Sequence, residues 1–264
     1  MTTVNDVLSR LFALAPIEAK MDFDNVGLLA GDSRAAVRGI LVALDVTSEV
    51  IDEAAASGAN LIVSHHPLLF DIKRVTDGDI RGKKLLSLLS HSISAICMHT
   101  NLDAARGGVN DALARAAGLR DTALLSEDGR YPDGTPFSYG RVGTLQGPMR
   151  MREYLTFLKN ALKTNGLRYH NAGREVSRVA VVGGSGGDDL LAAFERGCDT
   201  FVTADVKYDV FLDARELGIN LIDADHFCTE NTVVPELRRV ISEAFPAISC
   251  AVSERHGQTA RFFV

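Results

Sequence analysis

The chain has 264 residues, 46% of them hydrophobic and 23% charged, a balance that can bury a sizeable core and excludes a disordered chain. Its net charge of -6 removes the electrostatic basis for general affinity to nucleic acid or anionic membrane, although a small anionic substrate stays compatible if the site makes its own positive charge. No apolar run approaches the ~20 residues that a membrane-crossing helix needs.

Cys97, Cys198, Cys228 and Cys250 are scattered, form no Cys-x-x-Cys pair and sit mostly in apolar runs. They read as buried reduced thiols of a cytoplasmic protein. The amino-terminal residues show no basic region followed by an apolar stretch, so no secretory signal is expected.

In chain order, residues 4–15 carry apolar side chains at helical spacing, and residues 39–44 form an apolar run suited to a buried strand. A helix is expected from Thr47, with Val50, Ile51, Ala54 and Ala55 on one side and Ser57-Gly58 closing it. Leu61-Ile62-Val63 is the next strand, which makes a β-α-β unit and favours parallel pairing with a right-handed crossover. Residues 93–98 read as a further strand, and residues 127–136 are rich in turn formers and mark a loop or lobe boundary. A strand at 141–145 and a helix at 151–162 follow, the latter with Tyr154, Leu155, Leu158 and Leu162 inward. Residues 179–182, 188–196 and the strand begun by Phe201-Val202 repeat the β-α-β device, with Gly197 closing the helix. Residues 219–222 give another strand, and residues 233–244 a helix with Pro235 in its first turn.

The segments 55–64 and 193–203 share a pattern of helix end, glycine and strand, which suggests two related lobes. The fold class expected is therefore α/β, with mainly parallel sheets flanked by helices. Residues 1–125 with 226–264 are assigned to a metal-binding lobe and residues 126–225 to a second.

Three polar groups stand just past predicted strands: Ser64-His65-His66-Pro67, the stretch from His99 to Asp103, and the stretch from Asp223 to Glu230. Ligands of open α/β sheets collect at the carboxyl ends of strands, so groups far apart in sequence can converge. Imidazole and carboxylate together suit zinc, iron, manganese or nickel. Neighbouring histidines would face opposite ways within a strand, but Pro67 argues that the strand has ended. His226 and Glu230 are four apart and share one face if a helix begins there. Each has a plainer reading: satisfied loop histidines, a turn or cap for Asp103, a surface pair for His226 and Glu230. The metal reading prevails because three separate strand ends all carry ligand types. Gly183-Gly-Ser-Gly-Gly187 could bare amides to a phosphate, but it lacks a Walker lysine and dinucleotide spacing, so a tight turn is favoured. Asp24-Asn25 either lines a pocket or shapes a loop.

The chain resembles the dinuclear-metal-centre family of GTP cyclohydrolase 1 type 2 homologues, also called NGG-interacting-factor-three-like. The resemblance is carried by Asp24-Asn-Val-Gly-Leu-Leu-Ala-Gly-Asp32, Ser64-His-His-Pro-Leu-Leu-Phe70, His99-Thr-Asn-Leu-Asp103 with Gly107-Gly-Val-Asn-Asp111, Val181-Val-Gly-Gly-Ser-Gly186, and Asp223-Ala-Asp-His226 with Thr229-Glu230. It implies two divalent ions per subunit, zinc or iron foremost, held by His65, His66, Asp103, His226 and Glu230, with Glu230 bridging. It implies His99 as the candidate catalytic residue beside them. It further implies a toroidal homohexamer, a trimer of dimers. Two departures stand out: family members usually carry glycine in place of Asp225, and often histidine in place of Asp209.

Two divalent ions with two carboxylate ligands keep about two positive charges, which suits hydrolysis of a nucleotide or other anionic substrate by metal-activated water. The alternative is a non-catalytic metal-binding scaffold or regulatory interaction protein. Five ligands for two ions leave coordination positions open, which favours catalysis.

Overall fold

The computed structural model describes residues 1–263. The first stretch of chain forms α1 (Val4–Leu14), β1 (Gly27–Ala30), β2 (Gly39–Ala43), α2 (Ser48–Ser57), β3 (Leu61–Ser64), α3 (Ile80–Ser90), β4 (Ser94–Cys97) and α4 (Thr100–Ala104). There follow α5 (Val109–Ala116), β5 (Arg120–Leu124), β6 (Gly129–Arg130), β7 (Pro136–Phe137), β8 (Arg141–Met149), α6 (Met151–Leu162), β9 (Arg168–His170), β10 (Val176–Val181), α7 (Leu190–Glu195), β11 (Thr200–Thr203), α8 (Tyr208–Leu217), β12 (Asn220–Asp223) and α9 (His226–Glu230). The chain then adds α10 (Val234–Ala244) and β13 (Ser249–Val252). Two compact units result, one of Met1–Leu102 with Val234–Gly257, the other of Asp103–Val233 with the residues from Gln258 onward.

The sheet of the first unit runs β1-β4-β3-β2-β13, parallel throughout except for the antiparallel edge pair of β1 with β4. Such a sheet is covered on both faces, and its strands read as continuous apolar runs. On one face Leu41, Ala43, Ile62 and Ala95 pack with Val50, Ile51 and Ala54 of α2 and with Leu85 and Leu88 of α3. The α2 helix forms because Thr47 accepts the Val50 amide at its start, and it ends because Gly58 takes φ 76°, a left-handed turn that glycine adopts at no steric cost.

The sheet of the second unit runs β5-β8-β10-β11-β12-β9 and is mixed, where mainly parallel pairing was expected. The neighbouring pairs β10-β11 and β11-β12 are parallel, each joined through a helix, α7 and α8, while the other neighbouring pairs are antiparallel. Strand alternation splits its core cleanly. Val179, Val181, Val202 and Ile222 face Leu113, Tyr154 and Leu158, while Ala180, Phe201 and Leu221 face Leu190, Ala193, Val210 and Ala214. The turn-rich stretch at 127–136 lies within this unit and forms the small β6-β7 hairpin.

The four cysteines are free thiols, and Cys97, Cys198 and Cys228 are buried. Among the described residues no helix is long and apolar enough to cross a membrane.

Candidate metal centre

In the first unit β2, β3 and β4 end level with one another, Ala43 opposite Ser64 and Ser64 opposite Cys97. The residues just beyond are Asp45, the His65-His66 pair and His99. The strand does end at Ser64: the amides of both His65 and His66 donate to the Leu44 carbonyl, at 3.2 and 2.9 Å, so the pair leaves the extended course. Both rings can then lie on one side, with centroids 5.0 Å apart, and the His99 ring stands 5.2 Å from His65 and 5.7 Å from His66. Nitrogens of the three rings all lie within 4.8 Å of one another, so His99 sits as close to the pair as a ligand would.

Each ring is oriented through Nδ1. His65, fully buried, has Nδ1 at 2.8 Å from the Met98 carbonyl. A carbonyl can only accept, so Nδ1 carries a proton and Nε2 is the ring edge turned away from Met98. His66 Nδ1 donates to Asp45 Oδ1 at 2.7 Å, and His99 Nδ1 to Asp24 Oδ1 at 2.8 Å. Burial would raise the carboxyls of Asp24 and Asp45, but hydrogen bonds hold both well below the usual carboxylate range. The donors are His99 and Thr100 for Asp24, and His256 and His66 for Asp45. Asp24 is thus no mere loop former: it accepts the Thr100 amide at 2.9 Å as well as the His99 ring. Phe70 lies beside His99, 6.3 Å between centroids, and exposed Phe23 lies 6.4 Å beyond it.

The second unit repeats the device at the ends of β10, β11 and β12, where Val181 pairs with Val202 and Thr203 with Asp223. Past them come Gly183-Gly184, Asp205 and His226. The His226 ring donates from Nδ1 to Asp205 Oδ2 at 2.7 Å, and its Nε2 lies 3.1 Å from Glu230 Oε2, one turn along α9. Burial would lower the imidazole pKa, yet Glu230 and Asp205 together raise it to about 9, so a cation binding here must displace a proton. Glu230 is buried against Gly184, which takes φ +66° and whose missing Cβ would stand 2.1 Å from Oε1. The glycine-rich turn is therefore a packing device that makes room for the carboxylate, and its Gly184 amide goes to Thr229 Oγ1 at 3.1 Å. Asp103 stands on α4, four residues after His99, and its carbonyl accepts from Asn110 Nδ2 at 3.2 Å.

Asp225, where the resemblance leads one to expect glycine, adopts φ 74° and ψ 129°, a conformation that suits glycine. It is held there by its own side chain, which caps α9 at the Cys228 amide and accepts from Gln258. Asp209 is exposed on α8.

The donor sets fit a divalent cation: imidazoles anchored through Nδ1, a buried carboxylate, and oxygen acceptors behind every ring. The DUF34/NIF3 (NGG1p interacting factor 3) family model matches residues 2–258. This chain belongs to the DUF34/NIF3 family. Relatives include a GTP cyclohydrolase 1 type 2 homolog of Clostridium acetobutylicum, 37% identical over 229 residues, which cover 86% of this chain and 85% of the relative. The protein of the same name in Clostridium perfringens is 36% identical over 242 residues, 91% of each chain. A crystal structure of a Bacillus cereus protein related to NIF3 superposes with a TM-score of 0.93 at 25% identity, covering 99% of both chains. The family read from the sequence motifs is the family found.

Sequence reasoning missed Asp45, Asp205 and His256. The first two had a signal that was overlooked, since each is the second residue past a strand end, the position that singled out the histidine pair. His256 follows the last strand in an irregular stretch and had none.

Proposed function

We propose that this member of the DUF34/NIF3 family is a metal-dependent hydrolase of the GTP cyclohydrolase 1 type 2 homologue kind, acting on a nucleotide or other anionic substrate. In this reading His65, His66, Asp103, His226 and Glu230 would hold two divalent ions. The observation that carries it is the anchoring of the three candidate ligand histidines through Nδ1, His66 and His226 on carboxylates and His65 on a carbonyl, which makes Nε2 the ring edge that would meet a cation. Core histidines kept only for packing need no such uniform arrangement.

When bound, such a pair of cations acidifies water and neutralises the charge of an anionic substrate. The chain supplies the rest. His99, backed by the Asp24 carboxylate, is placed to accept and return a proton at Nε2. Exposed Phe70 and Phe23 offer apolar rings near His99 against which a base can stack.

The test is turnover of GTP and other nucleotides by metal-loaded protein, scored against His65→Ala. Hydrolysis lost in the variant supports the reading, whereas no turnover above the variant sinks it and leaves a scaffold role. The toroidal homohexamer belongs to the same proposal, and light scattering is expected to give six times the 28.4 kDa chain mass.

A further inference from the structure

The end of the first unit reaches back to the histidine cluster. β13 stops at Val252, and the chain then turns over α2, where Glu53 accepts from Ser253 Oγ at 2.5 Å, the Glu254 amide at 2.9 Å and the Arg255 amide at 3.3 Å. Ser253 Oγ in turn accepts the His256 amide at 3.2 Å. This clamp delivers the His256 ring to Asp45, with Nε2 at 2.8 Å from Oδ2, while Asp45 Oδ1 takes the His66 Nδ1 proton at 2.7 Å. One carboxylate therefore bridges two imidazoles.

A carboxylate rotates softly about its last torsion, so a single hydrogen bond from His66 fixes the position of one oxygen but not the plane. The second donor fixes the plane. The His256 side chain is 11% exposed and that of Asp45 38%, so the donor ring is itself held in place while the carboxylate it fixes stays partly open to water. Partners behind a ligating histidine set its ring orientation and basicity, and their loss weakens metal affinity by roughly 10–100-fold.

We infer that His256 is a positioning residue: by fixing Asp45 it holds His66 Nε2 in the orientation a cation needs, making the turn after β13 part of the metal site. The inference rests on the proposed metal centre.

The test is zinc affinity of the full chain, measured by competition with a chromophoric chelator for wild type, His256→Leu, His256→Gln and His66→Ala, together with thermal unfolding of each metal-free protein. Leucine keeps bulk without a donor, and the glutamine amide can donate to Asp45. The expected result is about tenfold weaker zinc binding in His256→Leu and within about twofold of wild type in His256→Gln, with His66→Ala weaker than either. Unfolding of the metal-free Leu and Gln variants should coincide, which separates ring positioning from general stability. Should His256→Leu not fold, His256→Ala takes its place in the comparison. Wild-type affinity in the non-donor variant with loss in His66→Ala overturns the inference and leaves the metal centre standing, as does a glutamine variant no better than leucine. Wild-type affinity in His66→Ala itself overturns both.

Discussion

Asp205 Oδ2 lies 2.7 Å from His226 Nδ1, and that contact turns the opposite edge of the ring toward Glu230. Asp205 itself sits in the left-handed region at φ 50°, which asparagine tolerates at least as well as aspartate. Asp205→Asn therefore keeps the turn and removes the charge behind the ring. Metal affinity is expected to fall about tenfold, read by chelator competition. Asp121→Asn, an exposed position with φ 51°, serves as the control and should bind metal like wild type.

Gly184→Ala places a Cβ into the Glu230 carboxylate at a backbone angle that side chains rarely adopt. Backbone strain alone costs roughly 1–3 kcal/mol. The displaced carboxylate should also weaken metal binding, so melting temperature and metal content are expected to drop together. A variant that melts lower but keeps full metal content would show that Glu230 is not a ligand.

Asp225→Gly is expected to stabilise the protein. The φ of 74° is relieved, worth roughly 1–3 kcal/mol, while loss of the N-cap to glycine costs only a few tenths of a kcal/mol. A gain of about 1 kcal/mol remains after the lost Gln258 contact and the greater freedom of the unfolded glycine are allowed for. Denaturant unfolding at fixed metal saturation checks it, and a lower midpoint would show that the side-chain contacts outweigh the strain.

The pH dependence of stability should carry the mark of Asp189. Burial, with Asp128 and Asp188 nearby, raises its carboxyl to about 6. Below the unfolded value of 3.8 both states hold the proton, and there is no effect. As pH rises from there to about 6 the unfolded chain ionises first and stability falls, the full penalty being present above about 6. Asp189→Asn should therefore raise the unfolding free energy at pH 7 by on the order of 1–2 kcal/mol and leave it unchanged near pH 3. Equal gains at both pH values would assign the effect to packing instead.

Much of this molecule is legible in its sequence. The helix at 151–162 matches α6 residue for residue, because Met151, Tyr154, Leu158 and Leu162 make one buried stripe. The strand ends carrying His65-His66, His99 and His226 were placed correctly, since apolar runs stop abruptly at polar residues there. Hidden from view were the antiparallel edges of the second sheet, whose strands β5 and β9 are largely exposed and carry no apolar pattern. Also hidden was the place where the chain passes from one unit to the other, between Leu102 and Asp103, inside α4 and without any change in composition. His256 escaped for a different reason. Its hydrogen bond to Asp45 spans a distance in sequence that no local pattern encodes.

In the first unit three strands finish level and the histidines come one or two residues later, and in the second β11 and β12 finish level with Asp205 and His226 two and three residues on. Strand length is consequently as constrained as donor identity. Adding a single residue inside β3 would carry His65 and His66 past Asp45 and exchange the directions in which they point, although every side chain of the centre were still present. Lengthening a surface loop, such as the one between Phe70 and Asp79, would disturb none of this. Tolerance to insertion should therefore change abruptly over a few positions, and a scan of inserted residues along 55–80 would trace where the frame ends and the covering begins.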